Sequence, residues 1–333
     1  MSHIINYNGV DCMKLLMAVF VVGIHTNPFM DMQSETVSKL FDSLFALAVP
    51  FFFIASGFFL YSKIVDAPLL ERLGRIEKWW KRIAKLYLVW TLLYLPFTIY
   101  GFCLDHLSPF QAILLFLKNV LLVGQNYGSW PLWYLLAMLV AGGIIYIMEK
   151  CHFNYSGMLV TAITLTGIGS VLDLLHTEVL IREWWTPFVD LYYKLFLHTR
   201  NGFFQGLIFM VLGVGVAKYK QAFPTKWILP SLLLFGAAYL NDVFGVKYLF
   251  YLSLFMLSLQ CNLKGETSFY QNIRITSTII YFVHMFFVGA FTLLFKENIN
   301  SFLLFSSVLC GSFLSSFVLL NFKGKKWFNV CFN

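Results

Sequence analysis

The sequence predicts an all-α, polytopic membrane protein with about ten transmembrane helices and both termini in the cytoplasm. Three observations lead there. Of its 333 residues, 59% are hydrophobic and only 12% are charged, a balance foreign to soluble domains. The apolar residues gather in recurrent runs of roughly 17–22, long enough to cross hydrocarbon as helices. The basic residues gather in the short loops between runs, where they set topology. That placement answers the net charge of +8 without a nucleic-acid partner.

The predicted spans, in order, are 13–31, 43–62, 83–103, 130–148, 157–175, 201–217, 227–242, 247–261, 275–295 and 301–321. The first twelve residues carry no basic leader and no small-residue cleavage site follows, so the first span is expected to be retained. An eleventh apolar stretch, Pro109 to Val123, is shorter and carries Lys118. Charge decides its fate. If it does not cross, seventeen of the 24 Lys and Arg residues fall on the inner side and seven on the outer. If it crosses, every later loop inverts against the positive-inside rule. It is therefore read as interfacial or re-entrant on the outer side. The largest outer segment, Asp173 to Arg200, holds Trp184, Trp185, Tyr192 and Tyr193. It suits a helix at headgroup level or a lid over an outer cavity. The pairs Gly202…Gly206 and Gly213-Val-Gly215 predict close helix packing. The chain is expected to form a single integral-membrane domain over 1–333 with no fused soluble module.

Few residues at membrane depth carry chemistry. Lys14 and His25 in the first span are eleven residues apart, about three turns, so they share a face some ~16 Å apart along the axis. Ionisable groups inside a span are costly and mark pathways or reactive sites. Asp11, one turn before Lys14, is placed to pair with its ammonium. The plainer alternative is that Asp11 and Lys14 mark the cytoplasmic end and His25 is a satisfied interior histidine. Ser56 lies in Ile-Ala-Ser-Gly-Phe-Phe, and a Ser-Gly pair is most often a packing notch. Lys81, Arg82 and Lys85 are read as opening the third span, where a helix N-terminus and basic side chains together suit a phosphate. Positive-inside anchoring explains the same three residues. Arg200 is read as beginning the sixth span, and His284, in Tyr-Phe-Val-His, lies near mid-membrane depth in the ninth. The six cysteines are scattered with no Cys-x-x-Cys pair, so neither a metal site nor a disulfide framework is expected.

The order of these residues resembles the acyltransferase-3 family of integral-membrane acyltransferases. Asp11-x-x-Lys14 with His25 is similar to the family's opening signature of a basic residue, ten intervening residues and a histidine. Val-Pro-Phe-Phe-Phe-Ile-Ala-Ser-Gly-Phe-Phe-Leu (49–60) resembles its second-helix motif, and Lys81-Arg82-Ile-Ala-Lys85 its arginine-rich motif. Trp130-Pro-Leu-Trp133-Tyr-Leu, Arg200-Asn-Gly-Phe-Phe-x-Gly and Ser277…Tyr281…His284 are similar to later landmarks. Lys stands at 14 and 85 where the family usually has Arg, which keeps the charge and loses the bidentate fork.

The resemblance implies transfer of an acyl group, usually acetyl, from cytoplasmic acyl-CoA to a hydroxyl of a cell-envelope glycan or lipid-linked saccharide. It implies His25 as general base, Lys81, Arg82 and Lys85 on the CoA phosphates, and Arg200 and His284 on the acceptor side, with Arg200 facing either the acceptor or an oxyanion. Asp11 and Lys14 either line the donor path or fix the first helix. No metal is implied. Direct transfer is the expected course, with an acyl-enzyme on His25 or Ser56 as the other route. The family also resembles the membrane part of certain serine racemases, so a transporter or uptake protein for a small polar solute such as an amino acid is the competing reading.

Overall fold

The computed structural model describes residues 7–31, 34–177, 184–219, 225–240, 245–295 and 300–332, and the regular elements within them are all helical. In chain order they are α1 (Asn8–Thr26), α2 (Glu35–Phe45), α3 (Ala48–Tyr61), α4 (Leu69–Leu93), α5 (Leu95–Leu104), α6 (Pro109–Lys118), α7 (Trp133–Lys150), α8 (Tyr155–Thr177), α9 (Thr186–Phe196), α10 (Leu207–Tyr219), α11 (Ile228–Leu240), α12 (Val246–Gln260), α13 (Thr267–Phe295), α14 (Ser301–Leu320) and α15 (Lys326–Phe332). Arg182, Lys220 and Lys296, which belong to the charge count, lie outside the described residues.

Among the described residues, seven helical stretches are long and apolar enough to cross a membrane, and eight if one bent pair counts as a span. The chain is an integral, multi-pass membrane protein. The bent pair is α4 with α5, which meet at 49° beside Pro96. Proline lacks the amide donor a continuous helix needs there. Two of the predicted spans form short helices, α11 with 13 residues and α12 with 15, against the ~20 that span hydrocarbon. Pro109 to Val123 forms α6, opened by a Ser108/Gln111 capping box, and a π-type turn over Asn119–Val123.

The chain divides into two compact units, Met1–Ala55 with Tyr219–Asn333, and Ser56–Lys218. In the first, α1 packs along α13 and α14. Ala18 and Val22 of α1 meet Ile280 of α13 and Val308 of α14, all fully buried. In lipid such seams are held by close packing rather than by escape from water. Gly9 shows how close: a Cβ there would overlap the Ser258 and Cys261 carbonyls at the end of α12. α1 starts earlier than the hydropathy implied and ends at Thr26, where Asn27 turns left-handed at φ 42° and returns its N–H to the Gly23 carbonyl. His25 therefore occupies the last turn of α1 and Lys14 its second turn.

In the second unit α4 packs along α7. The Trp80 indole N–H donates to the Leu139 carbonyl at 2.9 Å, and the Trp79 ring covers Gly142. The expected small-residue contacts are present: a Cβ at Gly202 would overlap the Ala137 carbonyl, and one at Gly215 the Tyr155 hydroxyl. Gly57, directly after Ser56, lies against the Met210 carbonyl of α10. The Ser-Gly pair is thus a packing notch on its glycine side.

Candidate active site

In the first unit, two histidines from opposite ends of the sequence stand together. α1 ends on His25, half-buried, and α13 carries His284, fully buried. Their ring centroids are 5.2 Å apart with the planes tilted by 33°. The His284 Nδ1 lies 3.0 Å from the Ile280 carbonyl oxygen one turn earlier. A carbonyl only accepts, so Nδ1 carries the proton and Nε2 the lone pair. That Nε2 is buried and has no hydrogen-bond partner among the described residues.

At the other end of α1 the buried Asp11 carboxylate forms an ion pair with Arg274 of α13 at 3.6 Å. The expected neighbour Lys14 also acts on Asp11 through its charge. In the sequence Arg274 stands out only as one of the inner-loop cations; its role here is to fasten α13 to α1. Because the ion pair and the histidine pair follow the same order along both helices, α1 and α13 run parallel. The ion pair marks their N-terminal ends, and the histidines lie further along.

The second unit holds the other expected residues. The Ser56 hydroxyl is 3.1 Å from the Tyr134 hydroxyl of α7. Arg200 precedes a π-type turn, Gly202–Gly206, rather than opening a regular helix, and its guanidinium lies 4.8 Å from the centroid of Trp133. Landmarks far apart in sequence therefore touch: the second-helix serine meets the Trp-Tyr segment, and so does the arginine before α10.

The basic trio is placed differently from the expectation. Lys81, Arg82 and Lys85 lie in the middle of α4, which begins at Leu69. The segment before them is helical because its charges pair one turn apart, Glu71 with Arg75 at 2.7 Å and Glu77 with Lys81 at 2.6 Å. A helix dipole acts within its first turn, so it contributes nothing to a phosphate site here. Lys81 is already engaged by Glu77, leaving Arg82 and Lys85, both exposed and three residues apart, as the cationic face.

Sequence reasoning misses one buried charge. Glu149, near the end of α7, is 2% exposed; it accepts the Tyr61 hydroxyl at 2.6 Å and lies 3.2 Å from Arg72 Nε as an ion pair without hydrogen-bond alignment. Its position before Lys150 reads in sequence as an ordinary helix-end acid. The helix ends it joins, on α3, α4 and α7, carry no local signal of meeting.

The aromatic outer segment is partly described. α9 places Tyr192 and Tyr193 against Asp173 and Asn201: the Tyr193 and Thr199 hydroxyls donate to the two Asp173 oxygens at 2.5 and 2.6 Å, and Asn201 donates to Tyr192 at 2.9 Å. Next to them, burial and then the Arg200 guanidinium push the His198 imidazole below its ordinary 6.5. A histidine held neutral in the fold and free to charge when unfolded stabilises fully above about pH 6.5, and that share is lost as pH falls through its depressed folded value. The melting temperature in detergent should therefore fall between pH 7 and 5 less steeply in His198→Gln than in the parent. Equal slopes would remove His198 as a source.

Among the described residues no group of three His, Cys, Asp or Glu side chains is placed to hold a metal. Residues 7–321 match the family described as "Acyltransferase domain", the acyltransferase-3 family. The chain belongs to it. The match spans nearly the whole sequence, including His25, the α4 basic residues and His284. Three curated relatives are racemases: an "Amino-acid racemase" of Enterococcus faecalis, 32% identical over 62% of this chain and 28% of that protein; a "Serine/alanine racemase" of Enterococcus gallinarum, 29% identical over 64% and 29%; and a second E. faecalis "Amino-acid racemase", 26% identical over 96% and 46%. The matched stretch is thus less than half the length of each. No solved structure matches the chain.

Proposed function

We propose that this membrane acyltransferase moves an acetyl group from cytoplasmic acetyl-CoA to a hydroxyl of a cell-envelope glycan or lipid-linked saccharide, with His25 as general base. The observation that carries the reaction class is the family match over residues 7–321. The half-buried His25 imidazole supports the role given to it. An imidazole titrates near neutrality, so it can take the hydroxyl proton as the oxygen attacks the thioester. The C–S bond then breaks, and CoA leaves as the thiol with the proton His25 held. Direct transfer needs no metal. In this reading α11 and α12 also cross, giving ten spans and cytoplasmic termini in one membrane domain, and bilayer lipids are the surroundings. Asp11 and Lys14 fix the donor end of α1, Ser56 and Tyr134 form one polar contact of the second unit, and Arg200 faces the acceptor.

The direct test is radiolabelled acetyl-CoA with purified protein and envelope glycans, read as an acetyl mass added to the acceptor. Absence of transfer to any glycan hydroxyl would end the proposal. The donor assignment is tested separately. Arg82→Ala should raise the Kd for CoA by about 10-fold, the worth of one charge-assisted hydrogen bond to a phosphate, with the acceptor KM unchanged. Equal CoA affinity would remove Arg82 from the phosphates.

A second reading rests on the relatives, whose names concern amino acids. In it the chain carries a small amino acid such as serine across the membrane. Serine flux into proteoliposomes without thioester consumption would favour it over acyl transfer.

A further inference from the structure

The His284 side chain presents a cost without an obvious return. A neutral imidazole nitrogen buried without a hydrogen-bond partner destabilises the fold, and a leucine in the same seam would carry no such cost. Its Nδ1–H is committed to the Ile280 carbonyl. That bond fixes the ring on α13 and leaves Nε2 as a buried acceptor with no hydrogen-bond partner among the described residues. The ionisable side chain packed against it is His25, at a centroid separation of 5.2 Å. α14, which also packs along α13, carries Cys310 as its one ionisable side chain. Along α13 itself, Arg274 is nearly three turns away and engaged with Asp11.

We propose that His284 is the positioning residue for His25: its Nε2 accepts a hydrogen bond from the far N–H of the His25 ring when that ring takes up the acceptor's proton. The inference rests on His25 being the base. A base must present its lone pair to the hydroxyl, so its other nitrogen must carry the proton and point elsewhere. A fixed, acceptor-only nitrogen beside it selects that tautomer and, once the imidazolium forms, stabilises the charge through its second N–H. Carboxylates usually serve this purpose. A neutral imidazole does so without placing a second full charge in hydrocarbon, where charges are expensive. The proton taken from the hydroxyl stays on His25 until CoA leaves with it, so His284 remains neutral throughout and the proton balance of the transfer is unchanged.

The discriminating pair is His284→Leu, which keeps the volume and removes the acceptor, and His284→Gln, whose Oε1 can replace Nε2. With acetyl-CoA and a glycan acceptor, the Leu variant should lose kcat by about 10–100-fold while its KM for acetyl-CoA stays within about twofold of the parent's. The Gln variant should recover most of the lost kcat. Melting temperatures in detergent establish that both fold. A Leu variant with parental kcat overturns the inference, and so does a Gln variant impaired as much as Leu, which would make the role one of packing. His25→Ala is run alongside. If it is inactive while His284→Leu is normal, only the positioning role fails; if His25→Ala is itself active, the base assignment fails first.

Discussion

Replacing His25 with alanine should lower the acyl-transfer rate by about 10²–10⁴-fold, the range supplied by a positioned general base, and leave acetyl-CoA binding intact. The size follows from what remains. Without the imidazole the acceptor hydroxyl must lose its proton to water, and in a span few alternatives reach it. In the proposed mechanism the effect belongs on kcat, because there the base acts on the acceptor proton in the transition state and not on the CoA phosphates. Folding should survive: His25 is half-buried in the last turn of α1, and that helix is fastened elsewhere by the Ala18 and Val22 seam and by the Asp11–Arg274 ion pair. Initial rates with labelled acetyl-CoA, beside a CoA-binding isotherm, measure both halves. Parental turnover in His25→Ala would remove the base and the chemistry built on it.

The largest effect on stability should come from Glu149→Ala. The carboxylate is 2% exposed and is held by Tyr61 and Arg72. Removing one partner of a buried pair costs about 3–5 kcal/mol because the other charge is left uncompensated. Arg72 keeps about a quarter of its side chain exposed, so water can partly solvate it and the expected loss is nearer ~2–3 kcal/mol. Unfolding by a graded denaturing detergent measures it. The double variant Glu149→Ala with Arg72→Met should be more stable than Glu149→Ala alone, since no charge is then stranded. An unchanged unfolding midpoint in Glu149→Ala would mean the carboxylate holds nothing. Acetyl transfer in any surviving protein should be close to normal, because Glu149 is assigned no part in the reaction.

The two variants differ in how visible their residues are in one dimension. His25 stands out because an ionisable side chain interrupts an apolar run, which singles it out along the chain although the run itself leaves both a reactive and an interior structural histidine open. Glu149 sits beside Lys150 at the end of such a run, where acids are commonplace, and only packing reveals it as buried. The basic trio fails in the opposite direction. Hydropathy falls before Lys81, which reads as a helix start; intrahelical pairs such as Glu77 with Lys81 let α4 run on into polar sequence, and the dipole argument goes with that start. Pro96 is in plain view, yet the 49° bend at α5 depends on how the freed backbone is packed.

By itself the sequence determined the solvent this chain folds in, most of its spans, and its family. Run length against hydrocarbon thickness and the spacing of a few polar residues are local properties, legible along the chain. Tertiary structure decided which polar residues meet: His25 with His284, Asp11 with Arg274, Ser56 with Tyr134, Arg200 with Trp133. Each of those contacts joins different elements. Their rotation and separation are set by packing at points such as Gly9, Gly57 and Gly202, where backbones approach until no side chain fits between. Nothing in the local pattern of either partner records that approach.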